Sequence, residues 1–253
     1  MMNKYIEMYF IFADIMSNSY FQFKQFTVFH DRCAMKVGTD GVLLGAWTRT
    51  GQGCSILDIG TGTGLIALIL AQRVPDARIT AVELDREAAL QAAENVRNSP
   101  WAARIEVVEA DIRQYATRVS HPFDIIVSNP PFFNSSLHSP SEARTQARHT
   151  DSLSYAELLQ GVCLLLADGG EFSVIIPSDS ATDFIVNAAG KGLYLHRRTN
   201  VRTLSRAQPK RVLLAFGKSV PAEVITDELV IATQPGIYTE AYRELTRDLY
   251  LDK

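Results

Sequence analysis

From residue 55 to residue 177 the chain alternates between two hydrophobic patterns. Short, nearly unbroken apolar runs occupy 55–60 (SILDIG), 77–85 (ARITAVELD), 104–111 (RIEVVEAD), 123–129 (FDIIVSN) and 171–177 (EFSVIIP). Runs of that kind read as strands buried on both faces. Between them lie longer stretches with helical character. Residues 64–74 are mostly apolar, 86–98 are amphipathic, and 153–166 end at the helix-stopping DGG. Strands alternating with helices predict βαβ units, hence an α/β fold with a mostly parallel sheet and helices on both faces.

Beyond residue 190 the texture changes. Residues 193–203 and 211–218 read as two strands, and the short link LSRAQPK suits a hairpin and not a crossover. One late strand is therefore expected to run antiparallel. Residues 238–251 read as a closing helix, and MKVGTDGVLLGAW, before residue 55, predicts a helix opened by Thr39 and Asp40. The expected division is an N-terminal extension and domain edge over 1–34, then one domain over 35–253. Residues 1–16 have a faintly leader-like apolar run, but Glu7 and Asp14 interrupt it and no small-residue cleavage site follows. They read as a peripheral extension, with Met16 as a candidate start.

With 253 residues, 47% apolar and 21% charged, the chain has room for one large core and is not disordered in composition. A net charge of −3 argues against a nucleic-acid partner unless basic residues gather locally. Cys33, Cys54 and Cys163 lie far apart, with no metal-ligand spacing. They read as reduced thiols of a cytoplasmic protein that carries no metal.

The candidate chemistry sits at the carboxyl ends of the strands. DIGTGTG carries Asp58 and then Gly60, Gly62 and Gly64, whose spacing permits a tight turn and close approach of a ligand to the backbone. It is neither the dinucleotide fingerprint nor a phosphate loop, and no lysine follows it. The next strand ends VELD, placing Glu83 about 20 residues on, where a carboxylate can accept from both hydroxyls of a ribose. The third ends EADI, where Asp111 can accept from an adenine amino group and Ile112 can cover its ring. One carboxylate at a strand end is ordinarily a helix cap or a solvated terminus. Three in register along the edge where open α/β sheets bind ligands point to an adenosine without a pyrophosphate.

DIGTGTG, VELD (with Leu84), EADI and NPPF, in that order at strand ends, resemble the class I S-adenosylmethionine-dependent methyltransferases over residues 35–218. The resemblance implies a Rossmann-like, mostly parallel seven-stranded sheet with a late antiparallel strand, and S-adenosylmethionine as cofactor. It also implies that the helix start at Thr39 meets the methionine carboxylate and that Asp40 meets the amine. NPPF, residues 129–132, resembles the amino-methyltransferase motif. There the Asn129 side-chain oxygen and the Pro130 carbonyl accept from an exocyclic amine, Pro131 stiffens the turn and Phe132 stacks on the target base.

Residues 191–218 contain eight Lys and Arg and no Asp or Glu. Arg197, Arg198, Arg202, Arg206, Lys210 and Arg211 therefore read as a phosphate-binding surface, with Arg144 and Arg148 extending it. VGTDGVLLGAW, NPPFF, ARHTDSLSYAELL and RAQPKRVLLAFGK together resemble the bacterial adenine-N6 methyltransferases that modify adenine 37 beside the anticodon of valine tRNA. The resemblance implies tRNA as partner, with no membrane, and the expected state is a monomer. A glutamine methyltransferase acting on a protein release factor, or a non-catalytic RNA-binding relative, remain the alternatives.

Overall fold

The computed structural model describes residues 18–33, 35–131 and 153–251. The parallel core is β3 (Ser55–Ile59), β4 (Arg78–Glu83), β5 (Ile105–Glu109), β6 (Phe123–Ser128) and β7 (Leu166–Pro177). After these come β8 (Tyr194–Leu204), β9 (Arg211–Gly217), β10 (Ile225–Gln234) and β11 (Ile237–Tyr238). They form one sheet of nine strands, in the order β11-β10-β8-β9-β7-β6-β3-β4-β5. The strand β9 runs antiparallel to both of its neighbours, as the short hairpin link predicts. A separate hairpin, β1 (Tyr20–Gln22) and β2 (Thr27–Phe29), precedes the sheet.

Alternation along the strands builds two cores. On β9, Leu213 and Ala215 face one cluster, while Val212, Leu214 and Phe216 face the other. The first cluster packs against α1 (Thr39–Trp47), α2 (Leu65–Arg73) and the β1–β2 hairpin. The second packs against α4 (Ile112–Arg118), α5 (Tyr155–Leu165) and α6 (Ala181–Ala189). Helix α2 is buried without a break from Leu65 to Ala71, which explains why its sequence is apolar all round. Helix α3 (Arg86–Arg97) packs beside β4 and β5, and α7 (Glu240–Thr246) closes the chain.

Three sequence expectations change. The sheet has nine strands where seven were expected, because β10 (ITDELVIATQ), mostly exposed and apolar only over Leu229–Ala232, and the two-residue β11 add to its end beyond β8. Helices α4 and α6 escaped the reading, being short. The DGG after α5 belongs to β7, which starts at Leu166 and shifts register against β6 between Phe123 and Ile125. Gly170 sits in this irregular stretch, where a Cβ would come within 2.8 Å of the Asp124 carbonyl.

Candidate active site

The chain runs from β3 outward through β4 to β5, then returns to the other side of β3 to place β6 and β7. The direction reverses between β3 and β6, and α/β sheets open a crevice at such a point, beyond the carboxyl ends of the strands. The turn after β3 enters that crevice. Gly60 and Gly62 adopt φ of 71° and 56°, and a Cβ on either would meet nothing within 4 Å, so both face open space. Gly64 (φ 81°) does something else. It caps α2, and a Cβ there would stand at an ordinary contact distance, 3.5 Å, from Ala92 of α3, so it is the left-handed φ that favours glycine. It lines neither cavity described below.

Glu83, at the end of β4, holds this turn in shape. Its Oε2 accepts from Gly62 N–H (2.8 Å), and its Oε1 from Leu84 N–H (2.9 Å) and Asp85 N–H (3.0 Å). Asp58, fully buried beneath the turn, accepts from Thr61 Oγ1–H (2.6 Å) at Oδ2, while its Oδ1 has no hydrogen-bond partner. Burial pushes the Asp58 carboxyl up to about 7, against the pull of the Thr61 bond and the Ala67 N–H, with Glu83 adding to the rise. A carboxyl raised above its ordinary 3.8 favours the protonated native state, so stability is lost as pH climbs from near 4 through 7. Asp58→Asn removes that loss. Its melting temperature, measured against the native protein, should gain from pH 5 to about pH 7 and level off by pH 8; a constant difference would show that Asp58 does not titrate there.

Helix α1 is drawn against α2 by two glycines one turn apart. A Cβ on Gly41 would lie 3.0 Å from Leu65 Cδ2, and one on Gly45 2.9 Å from Ile69 Cγ2. The close crossing sets the start of α1 opposite the glycine turn. A cavity of about 380 Å³ lies between them, lined by Gly38–Gly41, Gly60–Thr63 and Asn129 among others. Thr39 and Asp40 line it as expected, but the Asp40 carboxylate is already paired with Arg211 Nε at 2.8 Å.

A second cavity, about 640 Å³, shares Gly60 and continues along the edge past Glu83, Leu84, Asp111, Ile112, Pro130 and Pro131. Asp111 caps α4 through Arg113 N–H and pairs with the Arg113 guanidinium at 2.6 Å, which holds its carboxyl below the usual range. Arg113 also reaches Glu157 of α5 at 3.0 Å. The sequence reading missed Arg113, although its place two residues after Asp111 was a signal.

At the end of β6, Ser128 Oγ donates to the Ile59 carbonyl (2.9 Å) and locks this strand end to β3. Asn129 follows. Its side-chain oxygen is buried and has no hydrogen-bond partner among the described residues. Phe132, Arg144 and Arg148 lie outside the described residues.

The basic hairpin needs correction. Its missing counter-charges come from other elements: Glu171 stands 3.6 Å from Arg197, Glu228 pairs with Arg202, Asp40 with Arg211 and Asp168 with Lys218. Arg197 is no surface cation. Its side chain is 11% exposed, lies over the Trp47 ring at 3.5 Å and donates to the Trp47 carbonyl. Arg206 and Lys210 are exposed and make no ion pair among the described residues, while Arg198 is half-buried beside Asn200. Sequence spacing shows neither partners from distant strands nor the tryptophan beneath Arg197.

Among the described residues no cluster of His, Cys, Asp and Glu is placed to hold a metal ion, and no helix is long and apolar enough to cross a membrane. Residues 35–188 match the model of the methyltransferase small domain. A tRNA1(Val) (adenine(37)-N6)-methyltransferase of Bacteroides thetaiotaomicron is 52% identical over 93% of this chain and 99% of its own. One from Photorhabdus laumondii is 47% identical over 91% and 95%. In three dimensions, a protein of Agrobacterium tumefaciens described as "a predicted O-methyltransferase" overlays 83% of this chain and 96% of its own, with a TM-score of 0.68 at 22% identity. That last likeness speaks for the fold; the long, nearly end-to-end identities go further, and the chain belongs to the methyltransferase small domain family and, within it, to the family of the tRNA1(Val) (adenine(37)-N6)-methyltransferases.

Proposed function

We propose that this protein methylates N6 of adenine 37 in tRNA1(Val), as a cytoplasmic monomer. The observation that carries the chemistry is Asn129 Oδ1, a buried acceptor without a partner among the described residues, at the sheet's switch point. A buried acceptor left unpaired is costly, so a site that keeps one is suited to a substrate donor. An exocyclic amine, with two N–H bonds, is such a donor. The near-full-length relatives that carry this activity in name support the choice of tRNA.

S-adenosylmethionine, the methyl donor of the family, supplies an electrophilic methyl group when bound. The residues present fit it. Gly60 and Gly62 leave open a cradle that a Cβ would enter, Glu83 offers a carboxylate for the ribose hydroxyls, and Leu84, Asp111 and Ile112 stand along the neighbouring cavity for the adenine. Asp58, buried below the turn, lines neither cavity and serves the turn through Thr61. Asp40 lies across the first cavity from the glycine turn.

Asn129 and the Pro130 carbonyl each accept one N–H of the target amine. That fixes the nitrogen, favours a tetrahedral geometry and aims its lone pair at the methyl carbon. Neither group is a base at neutral pH. The proton therefore leaves after the new N–C bond has formed, when the nitrogen is cationic and acidic. A base stacked in a helix cannot reach Asn129, so the adenine must be turned out of its stack, which an anticodon loop allows at low cost.

Tritium transfer from S-adenosylmethionine to total RNA of a strain lacking the protein, followed by nucleoside analysis, tests the reading. Label in N6-methyladenosine of one valine tRNA is the expected result. No label in the RNA, with transfer to a release-factor glutamine when the protein fraction of the same strain is offered instead, would replace it.

The corrected hairpin sharpens a further prediction. Reversing the charge of Arg206 and Lys210 together should weaken tRNA binding and lower the slope of log affinity against log salt by about 2, since each phosphate contact releases condensed counterions. Arg197→Met should leave that slope unchanged and lower the melting temperature. Equal slopes for the double reversal and the native protein would move the RNA surface elsewhere.

A further inference from the structure

Helix α3 carries two amides on its buried side. Gln91 and Asn95, one turn apart, are 1% and 0% exposed. A buried amide is costly unless its bonds are made, and these are made to a segment far away in sequence. Asn95 Oδ1 accepts from Phe29 N–H (2.9 Å), and Asn95 Nδ2 donates to the Phe29 carbonyl (2.8 Å) and to the Thr63 carbonyl (2.9 Å). Gln91 Oε1 accepts from Arg32 N–H (3.0 Å). Next to Phe29, His30 is buried, with one ring nitrogen on the Asn18 carbonyl (2.8 Å) and the other facing Val37 N–H at 3.5 Å.

These contacts converge on the 380 Å³ cavity. Thr63 belongs to the glycine turn that forms one wall, and Met35, Lys36 and Gly38, on either side of Val37, belong to the opposite wall. A single side chain thus bonds directly to the first wall and, through Phe29 and His30, reaches the second. We infer that Asn95 is a positioning residue for the cofactor: with Gln91 it seats residues 29–33 and 35–38 against the glycine turn and sets the width of the cavity between them. Residues 29–33, expected as part of an extension and domain edge, then brace the wall that Met35, Lys36 and Gly38 form. The inference rests on the reading of this cavity as part of the S-adenosylmethionine site.

The test is calorimetric titration with S-adenosylhomocysteine, beside steady-state kinetics and melting temperatures. Asn95→Ala, which removes three hydrogen bonds, should weaken S-adenosylhomocysteine and raise the S-adenosylmethionine KM by about tenfold, the size of one net hydrogen bond at the upper end of its range, since only part of the loss reaches the cavity. Turnover at saturating cofactor and the RNA KM should stay within about twofold. Leu165→Ala, in the cluster on the other face of the sheet, should lower the melting temperature without touching cofactor affinity. Unchanged affinity in Asn95→Ala, or an equal loss in Leu165→Ala, overturns the inference, since the amide then serves the fold alone. Should Asn95→Ala fail to fold, Gln91→Ala removes one bond of the same seat. A severalfold weaker affinity supports the inference, and no change overturns it. A native protein that binds no S-adenosylhomocysteine would instead refute the reading of the site.

Discussion

Asn129→Ala should bind S-adenosylmethionine almost as the native protein does and turn over at least about 100-fold more slowly, the usual cost of removing one preorganised polar group from a reacting centre. The buried Oδ1 has no partner among the described residues, so its loss breaks none of the bonds described there and should leave the melting temperature almost unchanged. That sets this position apart from Glu83 or Asn95, whose oxygens hold backbone groups. An amide oxygen that bonds nothing among the described residues, beside Pro130 at the end of β6, is explained by what it does to the substrate. Asn129→Asp is the informative companion. A carboxylate still accepts from the amine, so it should recover part of the rate, with the added charge altering cofactor affinity. The check is single-turnover transfer to tRNA with both ligands saturating. Turnover of Asn129→Ala within a few-fold of native would mean that another group holds the amine.

The parallel core was legible in the sequence because its strands are buried on both faces, which forces continuous apolar runs. Ile125 to Val127 could hardly be read otherwise. β10 was not legible. Only Leu229 and Ala232 of its ten residues are buried, and its pairing with β8 is a matter of backbone hydrogen bonds, which leave no trace in residue type. The site divided in the same way. Asn129, Glu83 and the glycine turn could be found because strand ends and tight turns restrict residue choice. Partners supplied by other elements could not: Arg113 for Asp111, Arg211 for Asp40, Trp47 beneath Arg197. The same blindness made residues 191–218 look uncompensated, since their counter-ions are contributed by β7, β10 and α1. On an amphipathic helix such as α3, a polar residue facing inward looks like one facing water, and so Asn95 passed unnoticed.

Glu83→Ala should weaken S-adenosylmethionine by about 1–3 kcal/mol, through two losses that can be separated. The first is direct: the carboxylate that can accept from the ribose hydroxyls is gone. The second is indirect. Three backbone N–H groups, of Gly62, Leu84 and Asp85, lose the oxygen that now gathers them, so the glycine turn is no longer held in the form the ligand meets. Glu83→Gln keeps one carbonyl oxygen for those donors and removes the charge. If ribose recognition dominates, Gln should be nearly as poor as Ala in cofactor affinity yet close to native in melting temperature. If turn geometry dominates, the two measures should fall together and Gln should rescue both. Either variant also removes a negative charge that helps raise the buried Asp58 carboxyl. The pH window over which Asp58→Asn gains stability should therefore slide downward in a Glu83→Gln background. Calorimetry with S-adenosylhomocysteine, alongside melting curves from pH 5 to pH 8, reads both effects on the same samples. Unchanged affinity in a folded Glu83→Ala protein would take Glu83 out of the cofactor site and leave it only the task of shaping the turn.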